Sequence, residues 1–205
     1  MSGKLTLSAF VIFCLSAFVP LAHAQDLASQ IVAGVSRAPV LRAEFTQIKT
    51  IAALTRPLVT SGRFTYVRGQ GLLWRIEQPY RATYVLNEQG IVEIGDNGVA
   101  RAPTAAPGLQ HVSRIFRALF EPDVALLQQY FDTTANGDAA RWELVLTPQQ
   151  AALRHVFKNV RIHGARFVDD VKLDEANGDF TVIRFRRTQE AATPDDDEQR
   201  LLRRQ

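Results

Sequence analysis

Short runs in which every second residue is apolar, separated by turn residues, fill most of this chain, and that pattern commits it to antiparallel sheet. In Leu41-Arg42-Ala43-Glu44-Phe45-Thr46, one face carries Leu41, Ala43 and Phe45 and the other Arg42, Glu44 and Thr46. After the bend at Arg56-Pro57, a second strand over Leu58–Arg68 sets Gly62, Phe64 and Tyr66 on one face. Gly69-Gln70-Gly71 turns the chain into a third strand, Leu72–Gln78, with Leu72, Trp74 and Ile76 opposite Arg75 and Glu77. Pro79 stops it, and short strands follow near Arg81–Asn87 and Ile91–Ile94. The last third repeats the pattern. Trp142, Leu144 and Leu146 alternate with polar residues, and strands over Phe157–His163, Phe167–Asp174 and Phe180–Arg186 follow. An Asn177-Gly178 hairpin turn joins the last two.

Three segments change to helical period. Leu27, Ile31 and Val35 recur every four residues after Asp26, which suits an N-cap. From Leu109 onward Val112, Ile115, Phe116, Leu119 and Phe120 make one broad stripe, and a shorter helix starts at Pro122 or Asp123 and runs through Tyr130. Gln149–Leu153 suits a short turn of helix. The expected order is one helix, about five strands, two helices, then about four strands. Successive antiparallel strands with one apolar face must curl around a core. The fold class is therefore mainly β: a strongly curved sheet or incomplete antiparallel β-barrel, covered by a helical lid.

Residues 1–24 read as an export signal. Lys4 precedes an apolar run, Leu5–Val19, and Ala22-His23-Ala24 gives the small-x-small pattern for cleavage after Ala24. The run is too short for a membrane span of about 20 residues. The single cysteine, Cys14, lies inside it behind the large Ile12 and Phe13, so it is not a lipidation site and leaves with the signal. The mature chain then has no disulfide, thiol nucleophile or cysteine metal site, which suits an oxidising compartment. Of 24 lysines and arginines only Lys4 is lost, so 23 face 21 acids. That near balance argues against nucleic acid as a partner. The domain is expected over 25–187, a length suited to one core. The charged segment 188–205, with Asp195-Asp196-Asp197-Glu198 and Arg200, Arg203 and Arg204, is expected to be disordered.

Motifs for chemistry are missing. His111, His155 and His163 have no metal-ligand spacing and no recognisable acid partner, and the sequence holds no G-x-S-x-G, Walker or G-x-G-x-x-G motif. Asp169 and Asp170 are strand neighbours and point to opposite faces. No cofactor and no metal are expected, and the chain reads as not an enzyme. The notable concentration is instead aromatic and apolar, on one face of the N-terminal strands: Phe45, Phe64, Tyr66, Leu72, Trp74 and Ile76. These residues suit ordinary core and the wall of a lipid cavity equally. Ile115, Phe116, Leu119, Trp142 and Leu144 belong to the same candidate lining. Arg68 continues the face of Phe64 and Tyr66 by parity, where a charge needs partners or the rim; alternatively the strand ends before it.

The run Phe45-Thr46-Gln47, then Ser61-Gly62-Arg63-Phe64-Thr65-Tyr66-Val67-Arg68 and Leu73-Trp74-Arg75-Ile76-Glu77-Gln78-Pro79, resembles the LolA family of periplasmic outer-membrane lipoprotein carriers. Trp142-Glu143-Leu144-Val145-Leu146-Thr147-Pro148 and Glu175-Ala176-Asn177-Gly178-Asp179-Phe180-Thr181 extend the resemblance over almost the whole mature chain. It implies an incomplete barrel with a lid that includes the Leu27, Ile31 and Val35 helix, acyl chains held inside, and no catalysis or cofactor. It also implies an inner-membrane ABC-type exporter that loads the carrier, an outer-membrane acceptor that unloads it, and a monomer. Arg68 falls at the family arginine that ties barrel to lid. Ile91-Val92-Glu93-Ile94-Gly95-Asp96, where typical members are aromatic-rich, and the Arg56-Pro57-Leu58 entry mark a divergent member. The cargo could then be a polyene or glycolipid of a dedicated pathway. A structural envelope component is the reading in which no lipid binds.

Overall fold

The computed structural model describes residues 22–35, 37–87, 90–95, 98–101 and 124–203. Helix α1 spans Ala22–Gly34, and strands β1 Val40–Thr50, β2 Leu58–Val67, β3 Gly71–Gln78, β4 Ala82–Asn87, β5 Gly90–Ile94 and β6 Ala100–Arg101 follow. Then come α2 Val124–Tyr130, β7 Phe131–Gly137, β8 Trp142–Pro148, α3 Ala151–Arg154, β9 Phe157–Gly164, β10 Val168–Glu175, β11 Phe180–Ala191 and α4 Asp196–Leu202. The strands make one antiparallel sheet in the order β6-β5-β4-β3-β2-β1-β11-β10-β9-β8-β7. Among the described residues its two ends, β6 and β7, do not pair with each other, and the sheet is not closed into a barrel. Among the described strands every neighbouring pair except β1–β11 is consecutive along the chain; that pairing unites the N-terminal and C-terminal halves.

Alternation decides the two faces. Leu41, Ala43 and Phe45 of β1, Phe64 and Tyr66 of β2, and Leu72, Trp74 and Ile76 of β3 all join one large buried cluster on the inner face. Trp142, Leu144 and Leu146 of β8, Val160 and Ile162 of β9, Val171 and Leu173 of β10, and Ile183 and Phe185 of β11 join the same cluster. α1 packs over this face against β7 and α2, with Ile31 buried in the cluster and Leu27 and Val35 against it. Gly62 lies opposite Phe45. A β-carbon there would meet the Arg75 carbonyl oxygen at 1.8 Å, so no other residue fits the backbone as it stands. The β2–β3 register shifts between Ser61 and Gly62, which adds twist and curvature to the sheet.

Three expectations change. First, α1 begins at Ala22 and not at Asp26, so Asp26 is interior to the helix backbone and does not cap it. Second, Phe131–Gly137 is a strand, β7, in a stretch to which the sequence pattern assigned no element. Its Thr133 and Thr134 give it β propensity, but Asp132, Asn136 and Gly137 hide the alternation. Third, the charged tail is ordered. β11 continues to Ala191, and Asp195 caps α4 by accepting from the Glu198 N–H while the Glu198 side chain accepts from the Asp195 N–H. Leu202 then buries against Val40, Val67, Leu73 and Val85, the apolar residues of the outer face. Those residues needed a cover, and the tail supplies it. The expected helix around Ile115, Phe116 and Leu119, the signal run 5–19 with Cys14, and His111 all lie outside the described residues.

Candidate functional site

The inner face places eight of the sequence-derived lining residues in one continuous apolar surface: Phe45, Phe64, Tyr66, Leu72, Trp74, Ile76, Trp142 and Leu144. Its centre is aromatic. Phe45 stacks on Trp74 with ring centres 3.8 Å apart and planes 29° apart. Phe64 meets Trp74 edge-on at 6.1 Å, and Phe185 stands edge-on to both Phe64 and Trp74, at 5.2 Å and 6.3 Å. Offset and edge-on geometries of this kind add about 0.5–1.5 kcal/mol per pair beyond simple burial. Phe185 was not singled out from the sequence, although its parity in the Phe180–Arg186 run put it on the apolar face. Trp142, on β8, donates its indole N–H to the Ala165 carbonyl at 2.6 Å.

Polarity rises toward the β6 end. Along one row of the inner face, Phe64 neighbours Trp74, Trp74 neighbours Tyr84, Tyr84 neighbours Glu93, and Glu93 neighbours Arg101. Arg101 donates to Glu93 at 2.8 Å. Burial, reinforced by the nearby Glu93 charge, raises the Tyr84 pKa, so this phenol stays protonated at neutral pH.

Arg68 sits in the turn just beyond β2, as in the second of its two readings. Its backbone N–H donates to the Pro39 carbonyl at 2.9 Å, in the segment that links α1 to β1, and its guanidinium carbon stands 5.9 Å from the centre of the Tyr66 ring. The residue is therefore half-buried where the helix that covers the inner face enters the sheet.

The outer face is polar and more organised than the sequence indicated. His163 lies between Glu143 and Asp170 on adjacent strands, with ring nitrogens 3.1 Å and 3.0 Å from the two carboxylates. The acids come from strands 20 and seven residues away, which is why no linear motif announced them. Nearby, the Glu198 carboxylate accepts from Arg42 Nε at 2.7 Å, Arg42 Nη2 at 2.6 Å and Thr65 Oγ1 at 3.0 Å. Burial alone would push this acid up; the Arg42, Asp195 and Thr65 hydrogen bonds outweigh it and hold its pKa below the usual carboxylate range. The Glu198 bond correspondingly raises the Arg42 pKa against the opposing effect of burial. Among the described residues no group of histidines, cysteines and acids is arranged to hold a metal, and no helix is long and apolar enough to cross a membrane.

Solved structures share this architecture. A DUF1329 family protein from Desulfovibrio piger aligns with a TM-score of 0.51 at 12% identity, covering 86% of this chain and 95% of that one. A LolA superfamily protein from Nitrosomonas europaea aligns with a TM-score of 0.52 at 7% identity, covering 85% and 96%. At such identities the likeness shows the fold. Among curated proteins, none matches the chain by sequence. The family described as outer membrane lipoprotein carrier protein LolA-like matches residues 21–175, three quarters of the chain and all of the sheet up to the end of β10. With that match and an open antiparallel sheet lined by one apolar face, the chain belongs to the LolA-like family.

Proposed function

We propose that this chain is a non-catalytic periplasmic carrier, freed by cleavage after Ala24, that shelters the acyl chains of a lipoprotein or a related lipid on its inner face and shuttles them toward the outer membrane. The observation that carries the reading is the single apolar surface from Leu72 and Trp74 through Phe45 and Phe185 to Leu144, in a sheet whose two ends stay apart. An open sheet can widen without breaking a strand pair, which a closed barrel cannot do. α1, with Leu27, Ile31 and Val35, is the cover on this face; Ile115, Phe116 and Leu119 would complete the lining. As in the family, an inner-membrane ABC-type exporter would load the carrier and an outer-membrane acceptor would unload it.

Burial of acyl chains contributes about 0.8 kcal/mol per methylene, so several chains would bind too tightly to leave an unregulated pocket. Arg68 answers that problem. It stands at the α1–β1 junction, and charge-assisted hydrogen bonds contribute about 1.5–3 kcal/mol each. Making and breaking them as the cover moves would set the balance between loading and release.

The test is uptake and content. The full chain is expressed with its leader in a Gram-negative host, purified from the periplasmic fraction without detergent, and its extracted lipids are identified by mass spectrometry. Acyl species are expected in stoichiometric amount, with displacement by a fluorescent fatty acid that quenches tryptophan emission from Trp74. Neither co-purified lipid nor uptake of any acyl probe would refute carriage and leave a structural envelope component. A polyene or glycolipid in place of lipoprotein acyl chains would assign the carrier to a dedicated pathway.

A further inference from the structure

The outer face carries arginines in register. Arg186 of β11 neighbours Glu44 of β1, Glu44 neighbours Arg63 of β2, and Arg63 neighbours Arg75 of β3. In the adjoining row Arg184 neighbours Thr46, and Thr46 neighbours Ser61. Half of this surface is already occupied, by the chain itself. The acidic run that opens α4 lies on it: Glu198 binds Arg42, and Asp197 accepts from Arg75 at 2.7 Å. The other half is open. A groove of about 320 Å³, lined by Thr46, Ser61, Arg63, Glu77, Arg184 and Arg186 among others, lies across β11, β1, β2 and β3. A second groove of about 240 Å³ shares Arg63 with it and reaches Asp195 and Glu198.

Most charges here are matched. Arg63 pairs with Glu77 at 3.0 Å, and Glu44 accepts from Arg187 at 2.7 Å. Asp170, the strand neighbour of Arg184, gives its carboxylate to His163. Among the described residues no carboxylate is within ion-pair distance of Arg184 or Arg186, and both are exposed. Two guanidinium groups without an acid therefore stand over a groove that also offers two hydroxyls.

We propose that this groove is a docking site for an acidic segment of a partner protein, laid across the outer face on Arg184 and Arg186. The tail shows the chemistry the surface accepts: an aspartate- and glutamate-rich stretch, held by arginine forks. Arg184 and Arg186 lie two positions apart on one face of β11, about 7 Å, which matches carboxylates at every second residue of an extended segment. Guanidinium forks favour bidentate carboxylate recognition, and Thr46 and Ser61 can donate to the backbone carbonyls between them. The inference does not rest on lipid carriage.

The experiment is fluorescence anisotropy of the full chain with a fluorescein-labelled peptide of about 12 residues, aspartate at every second position, beside a lysine counterpart. The aspartate peptide is expected to bind, more weakly as salt rises. R184A/R186A should weaken it at least about tenfold, and R184E/R186E should transfer binding to the lysine peptide. R166A, which removes an exposed arginine paired with Glu190 elsewhere, should leave binding unchanged. Both grooved arginines are exposed, so the variants should keep the parent melting temperature; the single R184Q serves if the double variant does not. No binding, or equal loss in R166A, overturns the proposal. So does tighter, arginine-dependent binding to phosphatidylglycerol vesicles than to the peptide, which would make the surface a membrane contact.

Discussion

Glu198→Gln isolates the one buried carboxylate of the tail and separates charge from shape. The acid receives two bonds from Arg42, one from Thr65 and one from the Asp195 N–H at 2.9 Å. Glutamine keeps one accepting oxygen, but its NH₂ faces either Arg42 Nη2 and the Asp195 N–H or, flipped, Arg42 Nε, donor against donor in both cases. Hydrogen bonds to charged groups contribute about 1.5–3 kcal/mol each. The Arg42 side chain is 35% exposed and can rehydrate, so the loss is discounted to about 2 kcal/mol in all. For a domain of this size that lowers the melting temperature by about 4–8 °C. The loss has a ceiling. Leu202 burial adds only about 1.5–3 kcal/mol to the hold of α4, and beyond their sum the tail detaches locally while the sheet survives. Hydrogen exchange of the α4 amides and tryptic cleavage at Arg200 and Arg203 report that local step. The sign with pH follows from the lowered carboxyl. Its stabilisation is complete above the ordinary glutamate value near 4.5 and is lost as pH falls through the depressed folded value. The parent and Glu198→Gln should therefore differ most at neutral pH and converge in acid. Equal melting temperatures at pH 7, with unchanged α4 exchange, would refute the reasoning; Asp196→Asn, on the exposed side of α4, is the control.

Other substitutions probe the remaining links. Arg68→Leu should leave folding intact yet impair transfer of bound lipid to an acceptor, measured by exchange of a fluorescent acyl probe; normal transfer removes the latch from the proposal. Gly62→Ala should destabilise by about 2 kcal/mol or more, since its β-carbon would sit on the Arg75 carbonyl, and denaturant titration measures it. Trp142→Phe loses the indole bond to Ala165 and should cost about 1 kcal/mol in the same titration.

Much of the inner face was legible in the alternation itself. Phe45, Phe64, Trp74 and Leu144 each sit at an apolar position of period two, and a strand can bury only one such set. The same local rule found the hairpin turns. It did not reach β7, whose polar residues hide the period, nor the His163 contacts, which join three strands. The tail is the sharpest contrast. Asp195-x-x-Glu198 is a capping-box spacing that a local reading can recognise, yet charge-rich composition pointed to disorder.

By itself, then, the sequence determined which residues turn to one face of each strand, where strands end, and the family, because periodicity, turns and motif order are properties of neighbours along the chain. Only the tertiary structure decided that β1 pairs with β11, that the sheet stays open between β6 and β7, and that the acidic tail folds back over Val40, Val67, Leu73 and Val85. The physical reason is distance along the chain. Arg42 and Glu198 are 156 residues apart, and their attraction exists only once the sheet has brought the outer face and the tail together.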